Sequence, residues 1–97
     1  MSEEKRVNVR HNEPERRFEA ELDGHISVAD YERRENTMVL TRTYVPPELR
    51  GRGIAEKVVR AALEHARQEN LKVVPACSYV AAFFERNPEY SSLLAKA

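Results

Sequence analysis

Gly51 and Gly53 are two of the chain's three glycines, and arginines Arg50 and Arg52 are interleaved with them. A glycine has no Cβ, so a ligand can approach its backbone closely. This short loop stands between a β-branched run ending at Tyr44-Val45-Pro46-Pro47 and a helical pattern beginning at Ile54-Ala55. The first turn of a helix leaves N–H groups unpaired and carries partial positive charge. A strand, a glycine loop and a helix start in that order suit an anion, phosphate above all. A tight turn edged by surface arginines would show the same spacing. Two familiar phosphate motifs do not fit: no Lys-Ser or Lys-Thr follows either glycine as a P-loop requires, and Glu56 stands where a dinucleotide fold needs its third glycine or an alanine. The second chemical candidate is Cys77, between an apolar strand pattern and a helical one. A helix N-terminus favours thiolate over thiol, whereas a packed free cysteine behaves as a small inert apolar residue. Tyr79, two residues on, offers either a proton-donating phenol or a packed ring. His11, His25 and His65 share no ligand spacing and the chain has one cysteine, so no metal site is expected. His65 falls on the polar edge of the longer helix and is expected in solvent.

These groups need elements to hold them. Val7 and Val9 alternate with polar residues, which allows a short strand. Phe18-Glu-Ala-Glu-Leu22 has period two and runs into Asp23-Gly24, a strong hairpin signal. His25–Tyr31 is the return strand, and the polar cluster Arg33–Asn36 turns the chain into Met38–Val45. That run is semi-apolar on both faces, as a central strand covered on two sides would be. Pro46-Pro47 ends it. Ile54, Ala55, Val58, Val59, Ala62, Leu63 and Ala66 then make one helical stripe, with Asn70 as a left-handed stop. Leu71–Val74 reads as a strand halted by Pro75, Tyr79–Arg86 as a second helix, and Pro88 opens a last turn to Leu94. The order predicts an α/β fold, a compact mixed sheet of about four to five strands with two main helices packed on it. Residues 1–97 are expected to form a single domain, with about the first six residues a mobile N-terminus. Sixteen Lys and Arg balance sixteen Asp and Glu, which disfavours an anionic membrane as a partner and, with no exposed aromatic platform, also disfavours a nucleic-acid-binding domain using Arg33-Arg34 and Arg50/Arg52. No apolar run approaches the length needed to span a bilayer, the first residues do not read as a signal peptide, and a lone cysteine fits a reducing compartment, so the cytoplasm is the expected setting.

The segment from Tyr44 to Ala55 resembles the acetyl-CoA-binding motif of the GCN5-related N-acetyltransferases, the GNAT superfamily. Their [Q/R]-x-x-G-x-[G/A] signature is matched by Arg50, Gly53 and Ala55, with a strand before it and an amphipathic helix after it. The resemblance implies acetyl-CoA or coenzyme A as co-substrate. Its pyrophosphate would lie on the backbone of Arg50, Gly51, Arg52, Gly53, Ile54 and Ala55, and its pantetheine arm along the strand ending at Tyr44-Val45. Over nearly its whole length the chain is similar to the very small single-domain branch of that superfamily. It lacks the N-terminal helix pair and the final hairpin of larger members, and Phe84 stands where many members carry the tyrosine that protonates the departing thiolate. In the small branch a cysteine occupies the place of Cys77 near the thioester, so Cys77, with Tyr79 as an alternative acid, is the expected catalytic pair. What the resemblance implies is an acetyl-CoA-dependent N-acetyltransferase acting on a primary amine of a small molecule or a protein, as a monomer or weak dimer. The alternative is a non-catalytic CoA-binding regulatory module.

Overall fold

The structure, a computed structural model, describes residues 7–95, and the segment expected to be mobile, residues 1–6, lies outside them. Five strands and two α-helices follow in the order β1 (Val9–Asn12), β2 (Arg17–Leu22), β3 (His25–Arg34), β4 (Thr37–Tyr44), α1 (Ile54–Gln68), β5 (Lys72–Pro75) and α2 (Ser78–Arg86). Short 3-10 turns at Pro47–Leu49 and Pro88–Leu93 complete the chain. The sheet keeps sequence order; β1 to β4 are antiparallel, and β5 is parallel to β4 after the α1 crossover. Asp23 and Gly24 both hold positive φ, at 54° and 79°, as the two central residues of a type I′ turn must. The turn sets Leu22 opposite His25 and so fixes the β2–β3 register. The faint alternation at Val7 and Val9 becomes an edge strand two residues further on, with Val9 opposite Ala20.

α1 buries Ile54, Val58, Val59, Ala62, Leu63 and Ala66 against the sheet, the stripe read from its periodicity. It ends at Gln68 and is stopped by Asn70, whose φ of 59° lets the Leu71 N–H reach back to the Ala66 carbonyl at 2.8 Å. Phe18, Ala20, Ala29, Tyr31, Met38 and Leu40 from the strands join Val80, Phe83 and Phe84 of α2 in the same cluster, so both helices bury into one core. The opposite face of the sheet stays open. β4 therefore departs from the expected two-sided burial: Met38 and Leu40 are buried, while Val39 and, on β5, Val74 remain partly exposed. Ile26 and Tyr44, 42% and 38% exposed, also stand on this open face. The outer edge of β5 is partly closed by the C-terminal segment, where Leu94 bridges Val73 and the Ala95 N–H donates to the Val73 carbonyl at 2.9 Å. Among the described residues no helix is long and apolar enough to cross a membrane.

Two polar clusters fasten β1 to the rest. On the open face Glu19, on a residue row that period two assigns to solvent, is 3% exposed. Its carboxylate accepts from Arg10, from Arg17 Nε at 2.8 Å and from Asn12 Nδ2 at 3.3 Å. Those donors, Arg10 foremost, hold it down to about pKa 2 against the pull of burial. On the core face His11 stacks on Phe18 with ring centroids 4.2 Å apart and meets Tyr31 Oη at 2.5 Å through Nε2. His65 comes within 4.5 Å of the same ring. The expectation of a solvated His65 is thus corrected: the rings of β1 and β2 half-cover it. Burial, then the neighbouring His65, lowers the His11 pKa below its ordinary value.

Acid should therefore loosen the fold in two stages. His11 favours the neutral form when folded, so stability is lost as pH falls through its unfolded value of 6.5. Glu19 favours the charged form, so its contribution is whole above 4.5 and drains away as pH falls towards 2. We expect His11→Phe to flatten the upper stage of a Tm-against-pH curve and Glu19→Gln the lower one. Curves parallel to the parent in both variants would refute this assignment.

Candidate functional site

The glycine loop begins where Pro46 and Pro47 end β4 and the 3-10 turn Pro47–Leu49 drops Leu49 into the core. Gly51 and Gly53 both hold left-handed backbone, with φ of 82° and 76°, and a Cβ built on either would meet nothing within 4 Å. The room beside them is open to a ligand. Gly53 is the residue that caps α1, and no side chain satisfies the N–H groups of the first helical turn. Those donors and the helix dipole face the mouth of a cavity of about 240 Å³ lined by Val45, Leu49, Arg50, Gly51, Gly53, Ile54, Ala55, Glu56 and Tyr79. Arg50 is tied back to the strand, donating from Nε to the Val45 carbonyl at 2.8 Å, and its guanidinium lies 5.7 Å from the Tyr44 ring centre. Arg52 leans the other way and reaches Asp23 in the β2–β3 turn at 3.4 Å.

β4 and β5 part before β4 ends. They pair only from Thr37 opposite Lys72 to Leu40 opposite Pro75. Pro75 offers no N–H, and the Cys77 N–H then donates to the Leu40 carbonyl at 3.1 Å as the last link. Thr41 to Tyr44 continue β4 with no β5 partner. At the same place β4 and β3 slip by one residue: Tyr31 faces Leu40 while Asp30 faces Arg42, which leaves Thr41 extra. A bulge of one residue inverts the alternation of the strand beyond it. Thr43, three residues past the inward Leu40, consequently stands on the Ala29 side, the helix side, while Arg42 and Tyr44 turn to the open face. Arg42 pairs with Asp30 at 3.0 Å and lies over the Tyr44 ring at 5.1 Å.

Cys77 caps α2 and is half-buried. Its Sγ lies 3.7 Å from Thr43 Oγ1, across the opening between the parted strands. Burial pushes its thiol pKa up, but the neighbouring polar groups, the backbone at Val80 first and then the Thr43 hydroxyl, favour the charged form and bring the thiol below its ordinary value. Tyr79, on the first turn of α2, reaches the cavity, with Arg86 of the next turns 5.8 Å from its ring centre. Phe84 is 6% exposed within the core.

Of the residues singled out from sequence, Val45, Arg50, Gly51, Gly53, Ile54, Ala55 and Tyr79 thus line one cavity. Tyr44, Arg52 and Cys77 do not line it. Leu49 and Glu56 also line it; Leu49 is drawn into the core, and Glu56 meets Arg60 one turn on at 2.6 Å. Thr43 was not legible because the bulge that turns it inward has no local signal. No group of three or more metal-ligating side chains occurs among the described residues.

Comparison with known proteins agrees with this geometry. Residues 17–93 match the family described as GCN5-related N-acetyl-transferase. Protein NATD1 of Xenopus tropicalis is 34% identical over 85 residues, covering 84% of this chain and 78% of the relative. Protein NATD1 of Homo sapiens is 35% identical over 85 residues, covering 84% and 75%. Among solved structures, a GCN5-like protein of Staphylococcus aureus studied by NMR superimposes with a TM-score of 0.73 at 26% identity, over 93% of this chain and 89% of that one. With parted strands, a glycine loop running into an uncapped helix start, and a family match spanning most of its length, the chain belongs to the GCN5-related N-acetyltransferase family.

Proposed function

We propose that the protein is an acetyl-CoA-dependent N-acetyltransferase acting on a primary amine, with Cys77 and Tyr79 as its catalytic side chains. The observation that carries this reading is the cavity lined both by the uncapped start of α1 and by Tyr79. Transfer forms a bond from the amine nitrogen to the acetyl carbon and breaks the carbon–sulfur bond. The amine must lose a proton and the departing thiolate must be stabilised or gain one. The N–H groups of Gly51 to Ala55 would hold the pyrophosphate, with the arm of the co-substrate along Tyr44 and Val45 towards the gap beside Leu40. Tyr79 and Cys77 are the proton-carrying side chains at that end. The helix-free sheet face leaves the approach unroofed, so a lysine on a protein surface is accommodated as readily as a small amine. We place this activity in the cytoplasm, in a monomer or weak dimer.

One observation favours a second reading. Phe84, at the place of the family's proton-donating tyrosine, is sealed in the core and has no ionisable group. Without another acid the chain would be a CoA-binding module that does not turn over. Steady-state release of CoA from acetyl-CoA in the presence of amine acceptors separates the two.

A thermal-shift titration should show Tm rising with CoA at up to millimolar concentration, since a ligand that binds only the folded state stabilises it. Gly53→Val should melt lower on its own, because left-handed backbone costs a branched residue about 1–2 kcal/mol. It should also lose the CoA-dependent rise; a folded variant with the parent's rise would reduce the loop to a turn.

Cys77→Ser and Tyr79→Phe should keep that rise while lowering turnover, by roughly a hundredfold where the lost group carries the proton. Undiminished turnover in both variants would remove the two side chains from the chemistry.

A further inference from the structure

The thiol of Cys77 faces a hydroxyl that only the β4 bulge could have placed there. Thr43 lies on the half of β4 that β5 abandons, three residues past Leu40, where regular alternation would turn it to the open face. The extra residue at Thr41 reverses that phase and sets Thr43 Oγ1 3.7 Å from Cys77 Sγ. Bulges beside functional sites commonly re-aim a side chain in this way. Both partners are held by backbone: Thr43 by pairing with Ala29, and Cys77 by its N–H on the Leu40 carbonyl at 3.1 Å and its carbonyl on the Ala81 N–H at 3.0 Å. The contact therefore depends little on free rotamers.

We propose that Thr43 is the positioning residue of the site, holding Cys77 Sγ at the opening of the parted strands and donating a hydrogen bond to it once it is ionised. A threonine hydroxyl is donor and acceptor at once and turns about its C–O bond. It accepts from the thiol in the neutral state and donates to the thiolate in the charged one, with no movement of heavy atoms. The start of α2, which Cys77 caps, also favours the charged form. A methyl group in place of the hydroxyl would leave the shape of the strand intact and remove one of the two sources of support. The proposal rests on Cys77 belonging to the acetyl-transfer site, yet its own content is the state of the thiol, which is measured without any turnover.

The test follows iodoacetamide alkylation of Cys77 by intact-protein mass spectrometry across pH, using the full chain. The parent should show a rate inflection below that of the unfolded thiol. Thr43→Val should move it up by about one unit and slow alkylation at neutral pH roughly threefold or more, the higher intrinsic nucleophilicity of the less acidic thiol offsetting part of the loss. Thr43→Ser should restore the parent profile. Thr37→Val, at the far end of the same strand, should leave it unchanged. Should Thr43→Val melt too low to assay, Thr43→Ala against Thr43→Ser gives the same comparison. An inflection in Thr43→Val equal to the parent's, or one that Thr43→Ser does not restore, overturns the proposal. A chain that alkylates as expected but transfers no acetyl group would overturn the proposed function and leave the role of Thr43 standing.

Discussion

The hydrogen bond from the Cys77 N–H to the Leu40 carbonyl is the last backbone bond joining β4 to the chain leaving β5, and the site takes its form from where that bond falls. Before it, two parallel strands make an ordinary ladder; after it, β4 runs on with one edge unpaired. Pro75 is the cause on one side, because it has no N–H to give and β5 cannot continue through it. The bulge at Thr41 is the cause on the other, since it bends β4 and reverses its faces within one residue. Backbone groups stripped of a partner in this way must find another, and a ligand with amide groups of its own would be a good one.

The start of α1 uses the same economy at the other end of the cavity. A helix whose N–H groups were satisfied by a serine or aspartate cap would be more stable and less receptive to an anion. Gly53 provides the backbone turn and nothing else. The helix can leave its first turn uncapped because its next two turns bury Val58, Val59, Ala62 and Leu63 completely. Stability is supplied by the middle of the helix and binding capacity by its end, so the two requirements do not compete for the same residues.

Much of this was legible in the residues themselves. The Asp23-Gly24 hairpin, the α1 stripe, the Asn70 stop and the glycine loop each rest on local chemistry, and each stands in the structure where its residues put it. What local chemistry could not express was pairing at a distance. Glu19 alternates like a solvent-facing residue, and only the arrival of Arg10 and Asn12 from β1 buries it. The two-sided burial expected of β4 failed because both helices settled on one face, a matter of topology and not of the strand's own composition. His65 left the solvent for the same reason, covered by a strand more than fifty residues before it. Thr43 was hidden by a register slip that is invisible in a single strand.

The bridge that Leu94 and Ala95 make to Val73 has a consequence for the molecule's behaviour in concentrated solution. A parallel edge strand of apolar residues is a template on which another chain's backbone can pair, the first step towards intermolecular β-structure. Here the outer edge of β5 is occupied by the chain's own end at its middle residue, and Pro75 blunts it one residue from the site. At the opposite edge β1 is only four residues long and turns Arg10 outward. Removing the bridging residues would thus matter less for the core than for colloidal behaviour, because it would bare a sticky edge next to a gap between strands that must stay open to work.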